Sequence, residues 1–356
     1  MRGNGKGRMA VRMITQDDTP EAGALHVLAP GLSTTVQDPG RPGFRDAGVP
    51  VGGAADPQAL AMANLLVGNP PGMAALELTL AGPTLMFGCE AAMALCGAPF
   101  EAWLDGQALE PMRPYYVPAG AVLTIRRAAA GCRGVLAVAG GIAVPEVLGS
   151  RSTYARARLG GLAGRPLQAD DLLPLGPPSG TARRLMALLR RQPGGRSRFA
   201  AAPWLATPAP LPGQAACTVR ALRGPEAALF APEVLRRFFA GPYTVRPEAD
   251  RMGVRLQGTP IAATASMVSE AVAPGAVQVP PDGQPIVLLP DCGTTGGYPR
   301  IAQVAAVDLP LLGQLRPGVQ LRFREIGLAE AEGLYLERRI ALARFQAALL
   351  HWLGEE

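Results

Sequence analysis

The chain has 356 residues, 48% of them hydrophobic and 17% charged, with a formal net charge of +6. That length suits two or three domains, and no apolar run reaches the roughly 18–20 residues of a membrane span, so no membrane is expected. The positive balance is scattered, densest at Arg183, Arg184, Arg190, Arg191, Arg196 and Arg198, and aromatics make up only 5%, too few for a base-stacking platform; no nucleic acid is expected either.

Residues 1–24 lack the apolar stretch of a signal peptide and read as a disordered extension. From Leu25 short apolar runs alternate with Gly- and Pro-rich turns, the mark of a β-rich chain. Strands are expected at Leu25–Leu28, Leu76–Leu80, Thr84–Phe87, Ala92–Cys96, Tyr115–Val117, Val122–Arg126 and Val135–Val138. One helix stands out among them. Asp56 can cap it, Pro57 suits its first turn, and Gly68 stops it. The first module thus runs over 25–176. Residues 177–215, rich in Pro, Arg and Ala, read as a linker with a helix at 181–191. The second module, 216–327, opens with a strand at Thr218–Leu222 and a helix near 232–239. Strands follow near 243–246, 254–256, 276–279, 285–289, 301–307 and 319–323. A closing helix over 328–352, in the final segment 328–356, carries Leu336 and Ile340, then Leu342, Phe345 and Leu349, at three- and four-residue spacing. The fold class is mainly β with a few helices.

Rare residues narrow the chemistry. Lys6, in the N-terminal tail, is the only lysine, which removes a Walker-type loop, a Schiff base and a structured site of biotin attachment. His26 and His351 sit near opposite ends, against a serine–histidine triad and against a histidine-rich metal site; no metal is expected. Five cysteines without CxxC spacing fit reduced thiols in the cytoplasm.

Between two apolar runs lies Asp291-Cys292-Gly293-Thr294-Thr295-Gly296-Gly297-Tyr298. Glycines there can fold the backbone into an anion-binding nest, because glycine tolerates φ > 0; a plain hairpin would use them too. Thr294, Thr295, Gly296 and Gly297 are therefore candidate substrate contacts, with Tyr298 beside them as a catalytic phenol. Asp250 and Glu270 are the acid/base candidates. Strand alternation would set Arg251 and Arg255 on one open face, converging on an anion, and Gln278 and Gln284 flank a Pro-Pro-Asp-Gly turn where an amide can be read. In the first half, Gln37, Asp38 and Arg41 surround a Pro-Gly turn and offer an amide, a carboxylate and a guanidinium fork. Each group can instead stitch its own turn.

The stretches SEAVAPGAVQVPPDGQPIVLL, TTGGYPRIAQVAAVDL, ADRMGVRLQG and GLSTTVQDPGRPGFRDAGVPVGGAAD resemble the family of prokaryotic 5-oxoprolinase C subunits, also described as biotin-dependent carboxyltransferase, allophanate hydrolase subunit 2 or KipA-like. The resemblance runs from about Leu25 to about Glu325. It implies two cyclophilin-like β-barrel modules and a component of an ATP-dependent 5-oxoprolinase that opens 5-oxo-L-proline to L-glutamate. The implied partners are a B-type subunit (KipI-like, allophanate hydrolase subunit 1) and an A-type oxoprolinase subunit. ATP would bind at a site shared with a partner, and the chain would be inactive alone. Two other members' roles stay open: a carboxyltransferase subunit acting on urea or a related amide, with biotin on a separate carrier chain, and a non-catalytic KipA-like antagonist of a kinase inhibitor. Typical members carry a glutamine before Thr-Thr-Gly-Gly-Tyr, where this chain has Gly293.

Overall fold

The computed structural model describes residues 23–191, 199–207, 209–213, 215–265 and 267–354; the expected extension, up to residue 22, and Arg196 and Arg198 lie outside the described residues. Two antiparallel six-stranded sheets build the first module. One runs Leu172–Pro174, Ala24–Ala29, Thr84–Phe87, Val122–Ala128, Phe100–Leu104, Gln107–Ala108, and the other Ala200–Ala201, Pro114–Val117, Ala91–Gly97, Arg133–Val138, Ala75–Thr79, Ser33–Gln37.

Strand periodicity decides which side chains enter the core between them. Met93, Leu95, Leu136 and Val138 point into it with Leu25, Leu85 and Leu123 of the facing sheet. Ala92, Ala94, Cys96, Val135 and Ala137 point the other way, into a second cluster under helix α1, Pro57–Leu66. Both faces of this sheet are buried, which is why these strands read as continuous apolar runs.

Helix α1 begins where the sequence indicates. The Asp56 side chain accepts from the Ala59 amide at 2.9 Å, Pro57 fills the first turn, and Gly68 follows at φ +74°. A β-carbon at Gly68 would lie 2.7 Å from the Ala182 backbone nitrogen, because helix α2, Gly180–Arg190, starts there under a Ser179 cap. Ala182, Leu185 and Leu189 of α2 join the cluster beneath α1.

The second module is a closed seven-stranded barrel in the order Ala216–Arg223, Arg300–Val304, Ala276–Gln278, Ile286–Leu288, Gly253–Gln257, Pro242–Val245, Gln320–Glu325. Its first and last strands pair in parallel to close it. Phe238 of α3, Pro232–Ala240, is fully buried and stacks on Phe323 with ring centroids 4.6 Å apart. The apolar run 301–307 is strand only to Val304. A 3-10 turn at Ala306–Asp308 and the short helix α4, Leu309–Gly313, replace the rest, since Pro310 fits a first helical turn and cannot donate to a ladder.

Helix α5, Leu328–Trp352, spans both modules. Ala331 and Leu334 pack on the second module beside Val307 and Ile326. Phe345, Leu349 and Trp352 pack on the first, with Trp352 edge-on to Trp204. Of the two apolar sets expected along α5 only the later one turns inward, and Leu336 and Ile340 remain exposed. Among the described residues no helix is long and apolar enough to cross a membrane.

Polar bolts hold the seam between the modules. Gln314 donates to Asp56 Oδ2 at 2.7 Å and to the Arg133 carbonyl at 2.8 Å, while its carbonyl accepts from the amides of Cys132 and Arg133. The Gly52 amide donates to the Pro290 carbonyl at 3.1 Å.

Candidate functional site

One open cleft of about 300 Å³ on the second barrel gathers Arg246, Arg255, Gln284 and Tyr298. Alternation along Gly253–Gln257 sends Val254 and Leu256 into the barrel and leaves Arg255 and Gln257 outside. Arg246 follows the paired strand Pro242–Val245, and its amide donates to the Arg255 carbonyl at 2.9 Å, so the two guanidinium-bearing residues are neighbours across the ladder. The Arg246 guanidinium also donates to Glu248, at 3.2 and 3.4 Å. The Arg255 guanidinium forms no hydrogen bond or ion pair among the described residues. Tyr298 is 43% exposed at the cleft. The Asp282 carboxylate also lines the cleft, where it accepts from the Gln284 backbone amide at 3.0 Å. Two guanidinium groups against one carboxylate, with a phenol beside them, leave an open wall that suits a small anion such as a carboxylate or a phosphoryl group.

The amide of Gln284 is already engaged. It accepts from the Gly258 amide at 2.9 Å and donates to the Gly258 carbonyl at 3.3 Å, so it fixes the cleft wall instead of reading a substrate amide. Gln278 is buried and donates to the Tyr298 carbonyl at 3.4 Å; it supports the loop from behind.

The Thr294–Tyr298 loop differs from the expected nest. None of Gly293, Gly296 and Gly297 has a positive φ. Thr295 and Gly296 instead form a short antiparallel ladder with Ala271 and Glu270, and the Thr294 carbonyl accepts from the Val272 amide at 3.0 Å. A β-carbon at 296 would meet the end of the Gln278 side chain, Nε2 at 2.4 Å, and would push it off the Tyr298 carbonyl. At Gly297 the approach is looser, 3.2 Å from Ser269 Oγ. Arg45 of the first module reaches this loop, donating to the Thr294 carbonyl at 3.5 Å.

Arg251 is a correction. The strand begins at Gly253, so alternation does not extend back to it, and it turns into the seam. Its guanidinium donates to both oxygens of Asp291, at 2.8 and 3.0 Å, to Glu77 and to the Gly53 carbonyl at 2.6 Å. Burial alone would lower its pKa, but Glu77 and Asp291 outweigh that and leave it raised. Arg251 and Arg255 therefore do not converge on one anion.

Neither acid/base candidate faces the cleft. Asp250 Oδ1 accepts from the amides of Met252 and Gly253, at 2.8 and 3.1 Å. Glu270 is exposed and pairs with Arg300 at 2.9 Å. Arg300 also grips Glu226, whose carboxyl it holds below the usual range. Neither Asp250 nor Glu270 lines the cleft. Cys292 is buried, and burial pushes its thiol up to about 11, so it is no nucleophile at neutral pH.

Gln37, Asp38 and Arg41 form a buried knot inside the first module. Asp38 accepts from Ser150 Oγ, Ser152 Oγ and the amides of Gly40 and Arg151. Gln37 donates to the Thr153 carbonyl at 3.1 Å. Arg41 is fully buried, donates to the carbonyls of Val147 and Ser152, and is lowered in pKa by that burial. The Ser150–Thr153 segment is thus the partner of this motif, and the motif does not open onto the cleft.

Sequence reasoning missed Arg246, Arg45, Glu77 and Asp291. Arg246 was within reach, since pairing two neighbouring strands puts it beside Arg255. Arg45 and Glu77 depend on contacts between modules, and Asp291 on a pairing with Arg251 across 40 residues of its own module, none of which carries a local signal.

Residues 47–325 match the family model described as carboxyltransferase domain, subdomain A and B. The chain is 40% identical to the 5-oxoprolinase C subunit of Escherichia coli (strain K12), over 86% of this chain and 93% of that protein. Its fold superimposes on the crystal structure of TTHA0988 with a TM-score of 0.73 at 38% identity, covering 86% of this chain and 56% of that one. It also superimposes on the urea amidolyase of K. lactis, with a TM-score of 0.78 at 30% identity, covering 92% of this chain and 20% of that one. From its seam and barrel to its matched residues, this chain belongs to the carboxyltransferase subdomain A and B family, alongside the C subunits of 5-oxoprolinase.

Proposed function

We propose that this chain is the C subunit of an ATP-dependent 5-oxoprolinase, acting with a B-type and an A-type subunit in the cytoplasm to convert 5-oxo-L-proline to L-glutamate. The observation that carries the reading is the 40% identity with a 5-oxoprolinase C subunit along 93% of that protein's length. The cleft is compatible with it. A five-membered lactam bearing a carboxylate fits in about 300 Å³, with Arg255 and Arg246 facing the carboxylate and the Tyr298 hydroxyl available to the ring amide.

A lactam resists hydrolysis through amide resonance. Transfer of a phosphoryl group from ATP to its oxygen, with release of ADP, removes that resonance, so that water adds at the ring carbon, the C–N bond opens, and a second water releases the phosphate. Two arginines on an open wall suit a carboxylate or one phosphoryl group but leave no enclosed space for a nucleotide base, so the rest of the ATP site falls to a partner subunit. Arg255 and Arg246 orient the substrate and offset anionic charge; the exposed phenol of Tyr298 donates or accepts at the ring. Asp250 closes its own turn, Glu270 pairs with Arg300 away from the cleft, and Asp282 in the cleft accepts from the Gln284 backbone amide, so the base that activates water is assigned to a partner.

The test is reconstitution. Combined A, B and C subunits should release glutamate and phosphate from 5-oxoproline and ATP, and omission of this chain should abolish it. Full activity without this chain, or hydrolysis by this chain alone, contradicts the reading. The fold match to urea amidolyase supports a second reading, a carboxyltransferase subunit for urea or a related amide. There biotin arrives on a separate carrier, because Lys6 is the only lysine. Urea-dependent consumption of carboxylated biotin carrier, with no activity toward 5-oxoproline, would select it.

A further inference from the structure

A second cavity, of about 380 Å³, lies in the seam between the modules, apart from the cleft described above. Its size falls in the range of small-molecule sites. Met62 of α1, Met112, Leu211 and Leu311 of α4 line its apolar side, and Arg338 of α5 lies at its polar end.

The charges at that end do not all cancel within the protein. Arg220 is engaged by Asp308, with Nε 2.9 Å from Oδ2 and Nη2 2.5 Å from Oδ1. Arg324 pairs with Glu330 at 2.7 Å. Asp56 is buried, accepts from Ala59 and Gln314, and has its carboxyl pushed up by burial, which disfavours its charged form. Arg338 is the exception. It is half-buried, and its hydrogen bonding among the described residues is a single donation from Nη2 to the Val307 carbonyl. Asp308 and Asp56 are the acidic groups near it and Arg220 the other cation; none of them forms an ion pair with it. A guanidinium with donors left over, lining a chamber that has both an apolar side and polar groups such as Gln58 and Thr218, matches an amphipathic anion.

We propose that the seam cavity binds a small monocarboxylate with an apolar body, its carboxylate on Arg338 and its body against Met62, Met112 and Leu311. At about 30 Å³ for each water-sized volume, the chamber holds roughly a dozen, so a body of about ten heavy atoms fills it. The ligand touches α1 of the first module and α4 and α5 of the second, so its binding ties the two together and raises their common stability by linkage.

Octanoate is the probe, titrated into the full chain by calorimetry and followed by thermal unfolding. Octanol matches its length without the charge, and inorganic phosphate offers an anion without the apolar body. Octanoate should bind saturably and raise the melting temperature, and the two controls at equal concentration should not. Arg338→Gln should weaken octanoate roughly tenfold or more. Met62→Trp, which fills the chamber from α1 without touching a charge, should do the same and keeps the test decisive if the arginine variant fails to fold. An equal response to octanol, absence of saturable binding, or wild-type octanoate affinity in Met62→Trp would overturn the proposal.

Discussion

Arg251 and Arg255 stand four positions apart and have opposite fates. Arg255 is outside the barrel, its guanidinium without an ion pair among the described residues, whereas Arg251 sits in the seam between Glu77 and Asp291. Removing one partner from a buried ion-pair cluster strands the remaining charges and costs about 3–5 kcal/mol. Arg251→Met should therefore lower unfolding stability by about 3 kcal/mol in denaturant titrations, since it leaves Asp291 without its ion-pair partner and Glu77 with Arg133 alone, at 3.6 Å. A loss below about 0.5 kcal/mol, the range of an ordinary surface change, would show that the cluster is not what holds the seam. Period-two reasoning put both arginines on one face because a sequence does not mark where a strand starts. Asp250, whose carboxylate closes a turn on the amides of Met252 and Gly253, is the physical boundary. The same holds for Asp38: its charge was legible as chemistry, but the serines 112 and 114 positions away that absorb it were not.

At the scale of elements, the Thr294–Tyr298 segment is a ladder propped on Gln278, and this changes what its glycines do. A methyl group at 296 displaces the Gln278 amide, while at 297 it meets Ser269 Oγ at 3.2 Å. The displacement removes the Gln278 donation to the Tyr298 carbonyl, a hydrogen bond of about 0.5–1.5 kcal/mol. Gly296→Ala should therefore lower the melting temperature slightly and reduce activity through the loop, with Gly297→Ala close to wild type in melting temperature. Equal damage from both would point back to a backbone nest. Strand Arg300–Val304 is fastened beside this loop by Arg300, which holds Glu226 at 2.7 Å. Because Arg300 lowers the Glu226 carboxyl below its ordinary value of 4.5, the folded chain binds this proton less readily than the unfolded chain. The resulting stability is fully present above that ordinary value and is lost as pH falls through the lower folded value. Denaturation midpoints of the wild type should thus fall more steeply below about pH 4.5 than those of Glu226→Gln; parallel curves would contradict the assignment. Both helix α1 and the barrel strands were readable from local pattern, down to the Asp56 cap. Helix α4 was not, because the run around it, Leu309 to Leu312, is apolar throughout and only Pro310 hints that the ladder stops.

Over the whole molecule, most elements of each module could be read from the sequence, though not strands such as Ser33–Gln37, Phe100–Leu104 and Leu172–Pro174, and the meeting of the modules could not. Gln314 looks like any loop glutamine, yet its amide engages four groups across the seam, and α5 completes the joint by packing on both modules. The candidate site was half legible. Arg255, Gln284 and Tyr298 do share a cleft, while Arg251, Asp250, Glu270 and the Gln37–Arg41 motif are committed elsewhere. If this cleft holds the anionic end of the substrate, steady-state kinetics of the reconstituted complex will register the loss of its arginines. With Arg255→Gln, and with Arg246→Gln, kcat/KM for 5-oxoproline should fall roughly tenfold or more, as loss of a charge-assisted hydrogen bond requires, while the melting temperature of the chain stays unchanged. Wild-type kinetics in the double variant Arg246→Gln, Arg255→Gln would contradict it.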